Sequence, residues 1–389
     1  MGLYRYIVIS LYRYLVMKIG INARFLVHPY TGIGQYTYSL IRALAETDVK
    51  NEYLLFTPEL VELQLPENFK QVRIPEKEYA SASLRKAHWE HVLVPQEMKK
   101  WNINLAHFLY PSNPNKSLGV PVVVTVHDVI PWVLPAYRTK LRSKIYHLYA
   151  RLALKKADHV ITVSNFSKDE IKRVLKVEDK NIHVIPLAAP MTSDEIPPPN
   201  LPLRRKFLLY VGGYDDRKNV PLLMEAYQKY IANFYPIDLI LVGGENQHLE
   251  HFITDEYCER VAGQYRVKPK GNMIFTPFLP ANQLACLYKQ AIALVHVSTY
   301  EGFNLPLVEA MSYGLPIIAS DIPVNREVTA DGACFIDPDS VDSIGIGIHG
   351  FLNDNKMQNE LKIKSRERGK DFNWKKTAEE TVYVYNLFH

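Results

Sequence analysis

Glu301 and Glu309 bracket the segment EGFNLPLVE, and the residue types between them outline a chemistry. Gly302 falls in a loop, Pro306 fits the first turn of a helix where a missing N–H costs nothing, and Gly314 stops that helix. The backbone N–H groups of Phe303, Asn304 and Leu305 then point out of a helix N-terminus, a geometry that draws phosphate or another anion. Carboxylates beside an anion site make sense when the ligand carries hydroxyls as well as phosphates, because each accepts two hydrogen bonds and suits a vicinal diol. One would hold a sugar and the other a ribose; the plainer reading is an exposed helix cap with a Glu favoured by the helix dipole. Arg217 and Lys218 sit just past an apolar strand, before a helix that Asn219 or Val220 starts. Fixed cations there would stabilise the charge that develops on a departing diphosphate, whereas an exposed basic pair is the bland alternative. His127 ends the apolar strand of VVVTVHDVIP, at the edge where open α/β sheets bind ligands, and Gly32 and Gly34 open a helix in TGIGQYTYSLIRALAE.

The elements that position these residues alternate along the chain. Strands are predicted at Lys18–Asn22, Tyr53–Phe56, Gln71–Ile74, Leu105–Leu109, Val122–Val126, His159–Val163 and His183–Ile185. A second series follows at Phe207–Val211, Asp238–Val242, Asn272–Phe275, Ala293–Val297, Ile317–Ser320 and Cys334–Asp337. Apolar strands separated by helical patterns imply parallel sheets covered on both faces. The Pro-rich, polar stretch between the series reads as a linker. The predicted organisation is an extension at 1–16, a domain at 17–190, a linker at 191–206 and a domain at 207–372, with a C-terminal helix at about 373–389 packing back on the first domain. Two Rossmann-like, doubly wound domains facing across a cleft are the expected fold class.

Composition narrows the function. The 389 residues carry a net charge of +5, but residues 1–190 hold 26 Lys and Arg against 16 Asp and Glu, while 191–389 hold 20 against 25. A basic half joined to an acidic one hints that the first meets an anionic surface. Between Arg138 and Lys156, seven basic residues and no acidic ones surround Leu141, Ile145, Leu148 and Leu152 at helical spacing. That pattern suits either a core helix with a solvated basic face or peripheral contact with an anionic membrane. Three widely spaced cysteines, Cys258, Cys286 and Cys334, argue against a disulfide framework or zinc site and for the reducing cytoplasm, including the inner face of the membrane. MGLYRYIVISLYRYLV is too short and too charged to span a bilayer and lacks a small-x-small cleavage site; it reads as an extension or an interfacial anchor. The basic charge is not interleaved with aromatics in a nucleic-acid module, so no nucleic-acid partner is expected.

The spacing Glu301-x7-Glu309 resembles the signature of the retaining GT-B glycosyltransferases, particularly family 4, and further segments are similar in order from Met17 onward. The resemblance implies that Glu301 contacts the donor sugar and Glu309 the ribose, and that His127 faces the donor sugar with its carbonyl near the anomeric carbon. It further implies that the Gly32/Gly34 loop approaches the donor phosphate and that backbone near Phe278 and Leu279 reads the base. Two departures stand out: Asn304 occupies a position that is usually Gly, and Gly213 stands where the family often has Arg, five residues before Lys218. Asp337-Pro-Asp339 has the DxD form of metal–diphosphate sites in the other large glycosyltransferase fold, but its place after the last strand reads as turn chemistry. ADHVITVSNFSKDE likewise matches the family, with Ser164 at a strand end and Ser167 as a helix cap.

The expected activity is therefore transfer of a hexose from a nucleotide diphosphate sugar, UDP-glucose first and GDP-mannose second, to a polysaccharide or lipid-linked glycan. No metal and no cofactor beyond the donor is expected, and His127, Lys218 and Glu301 are the catalytic candidates. A GT-B sugar-nucleotide epimerase and a two-lobed sugar-binding protein remain as alternatives, the latter wanting an export signal.

Overall fold

The computed structural model describes residues 16–29, 31–138, 141–190, 196–198, 201, 203–243 and 270–388, and for 138, 141–143, 145 and 146 the backbone alone. The extension at 1–15, most of the linker's first half and Cys258 lie outside these residues. The chain forms two compact units, one of residues 1–187 with 374–389 and the other of residues 188–373. The sequence placed these divisions at 190 and 372.

In the first unit β1 (Lys18–Asn22), β2 (Glu52–Thr57), β3 (Phe69–Arg73), β4 (Leu105–Phe108), β5 (Val122–Val126), β6 (His159–Thr162) and β7 (Ile182–Val184) form one sheet. Its order is β3-β2-β1-β4-β5-β6-β7, and every pairing is parallel. In the second unit β8 (Phe207–Val211), β9 (Asp238–Val242), β10 (Met273–Thr276), β11 (Ala293–His296), β12 (Ile317–Ser320) and β13 (Ala333–Ile336) follow the order β10-β9-β8-β11-β12-β13, again all parallel. β5, β8 and β9 are buried along their whole length, which is why they read as mainly apolar runs, interrupted by Thr125 in β5 and opened by Asp238 in β9. In both sheets the strand order reverses beside the first strand of the unit. The gap opened at the carboxyl ends there, between β1 and β4 and between β8 and β11, is where such sheets hold ligands.

The helix at Trp374–Asn386 belongs to the first unit. Trp374, Thr377, Ala378, Thr381, Val384 and Tyr385 are its buried residues, a helical stripe that meets the Gly32–Thr47 helix. Thr377 donates to the carbonyl of Pro186 at 2.8 Å, and Tyr385 is hydrogen-bonded to His107 at 2.7 Å. In the basic helix at Leu141–Leu154, Leu148 and Leu152 are exposed, while the side chains of Arg138, Lys140, Leu141, Arg142 and Ile145 lie outside the described set. Among the described residues no helix is long and apolar enough to cross a membrane.

The two glycines that open the Gly32–Thr47 helix differ in their constraint. Thr31 caps the helix by accepting from the Gly34 N–H at 3.0 Å, which draws the backbone of Gly34 against the carbonyl of His28. A Cβ on Gly34 would lie 1.9 Å from that oxygen, whereas one on Gly32 would meet nothing within 4 Å. Gly34→Ala should therefore destabilise the protein by about 1–3 kcal/mol, with Gly32→Ala within about 0.5 kcal/mol of the parent. Thermal unfolding of the pair measures the difference, and equal midpoints would remove the close-approach argument.

Candidate functional site

Lys218 and Glu301, 83 positions apart, meet across the reversal point of the second sheet. A single 3-10 turn, Asp216–Lys218, follows β8 and presents Arg217 and Lys218, while the loop after β11 presents Glu301. Lys218 Nζ donates to Glu301 Oε1 at 2.5 Å, and Arg217 Nη1 donates to Glu301 Oε2 at 2.6 Å. Backbone contacts fasten the loops as well: the Thr299 N–H donates to the Arg217 carbonyl at 2.8 Å, and Arg217 Nη1 donates to the Tyr300 carbonyl at 3.2 Å. Asp215 adds a second carboxylate 3.0 Å from Arg217 Nε. Lys218 and Glu301 are 8% and 7% exposed. Burial opposes ionisation of Glu301, but Lys218 and Arg217 outweigh it and hold the carboxyl well below the usual carboxylate range.

Glu309 has the opposite environment. It lies in the Leu305–Ser312 helix, and the hydroxyl of Tyr288, from the helix Ala281–Gln290, donates to its Oε2 at 2.5 Å. Burial without a cation pushes its pKa up to about 7, against the pull of that hydrogen bond. Two carboxylates on one loop and helix thus hold different protonation states near neutrality, the pattern that separates roles in a site.

Asn304 caps this helix in the left-handed conformation, at φ 72°. Asparagine tolerates that region, and its amide turns inward to donate to His296 Nδ1 at 3.1 Å and Asn325 Oδ1 at 2.8 Å. The position where the family usually has Gly therefore keeps the backbone a glycine would adopt. Phe303 is buried, its ring edge-on to Phe372, and Leu305 is the first helical residue. Phe278 is exposed and Leu279 buried in the turn that leads to the helix bearing Tyr288.

The first unit holds Gly32, Gly34 and His127. His127 follows β5, and its Nε2 donates to the Leu109 carbonyl, just past β4, at 3.0 Å. Burial lowers its pKa to about 4 despite that bond, so the ring is neutral at pH 7. The ring of Tyr36, from the Gly32–Thr47 helix, packs edge-on against it with centroids 4.6 Å apart. Ser164, not Ser167, caps the helix that follows β6: its hydroxyl accepts from the Ser167 N–H at 2.9 Å. The Ser167 hydroxyl donates instead to the His127 carbonyl at 3.3 Å.

Asp337-Pro-Asp339 makes a local turn in which Asp337 Oδ1 accepts from the Asp339 N–H at 3.0 Å. The Pro338 carbonyl accepts from Asn219 Nδ2 at 2.5 Å, so the turn braces the residue next to Lys218. Among the described residues no group of three or more His, Cys, Asp or Glu side chains could hold a metal ion. Sequence reasoning missed the roles of Tyr288 and Tyr36, which carry no local signal, the hydrogen bond of Asn219 to Pro338 and the inward turn of Asn304. Asn219 had the one available hint, as asparagine is enriched in the left-handed conformation it adopts at φ 56°.

Comparison with known proteins agrees with this architecture. The model of the glycosyl transferases group 1 matches residues 192–368, and that of glycosyltransferase family 4 matches residues 30–190. The chain is 29% identical to O-antigen chain mannosyltransferase B of Escherichia coli over 95% of this chain and 100% of that protein. It is 30% identical to O-antigen chain mannosyltransferase RfbU of Salmonella typhimurium over 56% of each. Among solved structures, sucrose-phosphate synthase from Thermosynechococcus elongatus superposes with a TM-score of 0.73 at 20% identity, over 95% of this chain and 98% of that one. WaaG, a glycosyltransferase involved in lipopolysaccharide biosynthesis, does so with a TM-score of 0.72 at 16% identity, over 95% and 99%. With two parallel reversal-point sheets and both family models matched in order, the chain belongs to the family 4, group 1 glycosyltransferases of GT-B fold.

Proposed function

We propose that the chain moves a hexose from a nucleotide diphosphate sugar to a hydroxyl of a polysaccharide or lipid-linked glycan, with retention at the anomeric carbon and without a metal. The observation that carries this reading is the grip of Lys218 and Arg217 on Glu301 at the reversal point of the second sheet. An ammonium has three N–H donors, so Lys218 keeps donors for a diphosphate while paired with Glu301. Each Glu301 oxygen likewise keeps a lone pair for a sugar hydroxyl. Glu309 takes the ribose diol, the backbone near Phe278 and Leu279 takes the base, and the N–H groups at Phe303–Leu305 take the phosphates. None of these groups is a nucleophile beneath the sugar. The acceptor therefore attacks on the face that the diphosphate leaves, its proton passes to the leaving phosphate oxygen, and His127, neutral at pH 7, is assigned to the donor sugar by the family resemblance alone.

Mannose from GDP-mannose stands first as donor and UDP-glucose second, the reverse of the order read from sequence. The relatives in E. coli and S. typhimurium, both named O-antigen chain mannosyltransferases, support that order and a growing polysaccharide as acceptor. Thermal unfolding with GDP, UDP and ADP tests it, since a ligand at 100 times its dissociation constant adds about 2.7 kcal/mol. The largest shift is expected from GDP; a larger one from UDP restores glucose, and none from any nucleotide removes the donor site. In the product, NMR of the new linkage should show an α anomer from an α-linked donor. A β anomer rules out retention, and donor isomerised without transfer would make the enzyme an epimerase.

Substitutions divide the roles. Lys218→Ala removes a charge-assisted contact of about 1.5–3 kcal/mol, roughly 10- to 150-fold in kcat/KM for the donor. Glu301→Ala should cut transfer without weakening binding of free nucleotide, and Glu309→Ala should weaken the nucleotide itself. If both Glu variants bind and transfer like the parent, the assignment is wrong.

Glu309 also sets a pH dependence. Both hydroxyls of a diol can donate to the two oxygens of the carboxylate only when it is ionised, so donor binding favours loss of the proton that burial retains up to about pH 7. Affinity for a nucleotide diphosphate sugar should be about tenfold weaker at pH 6 than on its plateau above pH 8. Calorimetry should record proton release near pH 6 and a flat profile in Glu309→Gln; an unchanged slope in that variant would assign the titration elsewhere.

A further inference from the structure

A buried chain of neutral groups runs through the first unit and ends against His127. Tyr36 lies 3% exposed, its hydroxyl 3.2 Å from Thr125 Oγ1. Thr125 Oγ1 is 2.9 Å from His107 Nε2, and His107 Nδ1 is 2.7 Å from the hydroxyl of Tyr385. Thr125, His107 and Tyr385 are fully buried. The four residues come from four elements: the Gly32–Thr47 helix, β5, β4 and the Trp374–Asn386 helix.

We infer that Tyr36 is a positioning residue for His127, and that the Thr125–His107–Tyr385 chain behind it makes the seat of the Trp374–Asn386 helix set the His127 ring. The inference rests on the reading of His127 given above. The hydrogen bond to Leu109 fixes one nitrogen of His127 and leaves the ring plane to be set by its neighbours. The edge-on Tyr36 ring, at 80° to the imidazole, is the aromatic contact that does so. Trp374, from the start of the same C-terminal helix, sits behind Tyr36 with ring centroids 6.2 Å apart. Burial keeps His107 neutral, lowering its pKa to about 3, so one nitrogen donates and the other accepts. Thr125 has a single hydrogen and cannot donate to both neighbours. A change at Tyr385 therefore reorganises the hydrogen bonds as far as Tyr36.

The test uses the full chain with Tyr36→Leu, Tyr36→Phe, Tyr385→Phe, the double variant Tyr36→Leu/Tyr385→Phe and His127→Ala. Tyr36→Leu should lower kcat by about 10- to 100-fold with donor KM unchanged, the loss expected for a misplaced group. Tyr36→Phe, which keeps the ring, should recover most of it. Tyr385→Phe should lower kcat by several-fold in the parent and add nothing in the Tyr36→Leu background. It should also shift the His127 ring signal in a histidine-labelled NMR spectrum; this readout stands if Tyr36→Leu fails to fold. Parent kcat in Tyr36→Leu, fully additive effects, or an unmoved His127 signal overturns the inference. Full transfer by His127→Ala would overturn the reading of His127 instead.

Discussion

The carboxylate of Glu301 between Lys218 and Arg217 is the contact on which the site of the second unit rests. Three charges out of water are tolerable only as a set, because removing one partner strands the others without solvation. That requirement ties the loop after β8 to the loop after β11 more firmly than their backbone contacts could. It also decides chemistry: Glu301 stays ionised and can only accept hydrogen bonds, while Glu309, nearby in sequence but without a cation, retains a proton to much higher pH. Glu301 holds both cations in fixed positions, so the proposed reaction would need little reorganisation of them.

The fold was legible because parallel strands buried on both faces are written as plain apolar runs. β1, β5, β8, β9 and β12 lie at the residues where the runs lie, and the others differ by one or two positions at their ends. The site was legible wherever the chemistry is local: a Glu in a loop, a Pro and a Gly bounding a helix, a basic pair past a strand. What could not be read was pairing at a distance. No local pattern says that Tyr288 will reach Glu309 or that Asn219 will reach Pro338, since those contacts depend on how helices and turns settle around the sheet. Asn304 shows the boundary between the two cases. Its departure from Gly was visible, but only the left-handed backbone and the inward amide explain why an asparagine serves there.

Burial keeps His107, His127 and His296 neutral at physiological pH, each with a pKa of about 3 or 4. Around Glu301 the positive charge therefore comes from the permanent cations Lys218 and Arg217, while these three imidazoles serve as neutral hydrogen-bonding and packing groups. This division suits the proposed reaction, in which the developing charge lies on a diphosphate and the proton travels between substrate oxygens.

The return of residues 374–386 to the first unit orders events on the ribosome. Every residue of the second unit is synthesised before the helix that covers His107 and packs on Gly32–Thr47. At about 5–20 residues per second that interval is on the order of 10–40 s, long enough for the second unit to fold while the first still shows an uncovered apolar face. The nascent first unit is thus the more exposed to chaperones and to aggregation, and a polypeptide released before residue 374 would keep that face open for good.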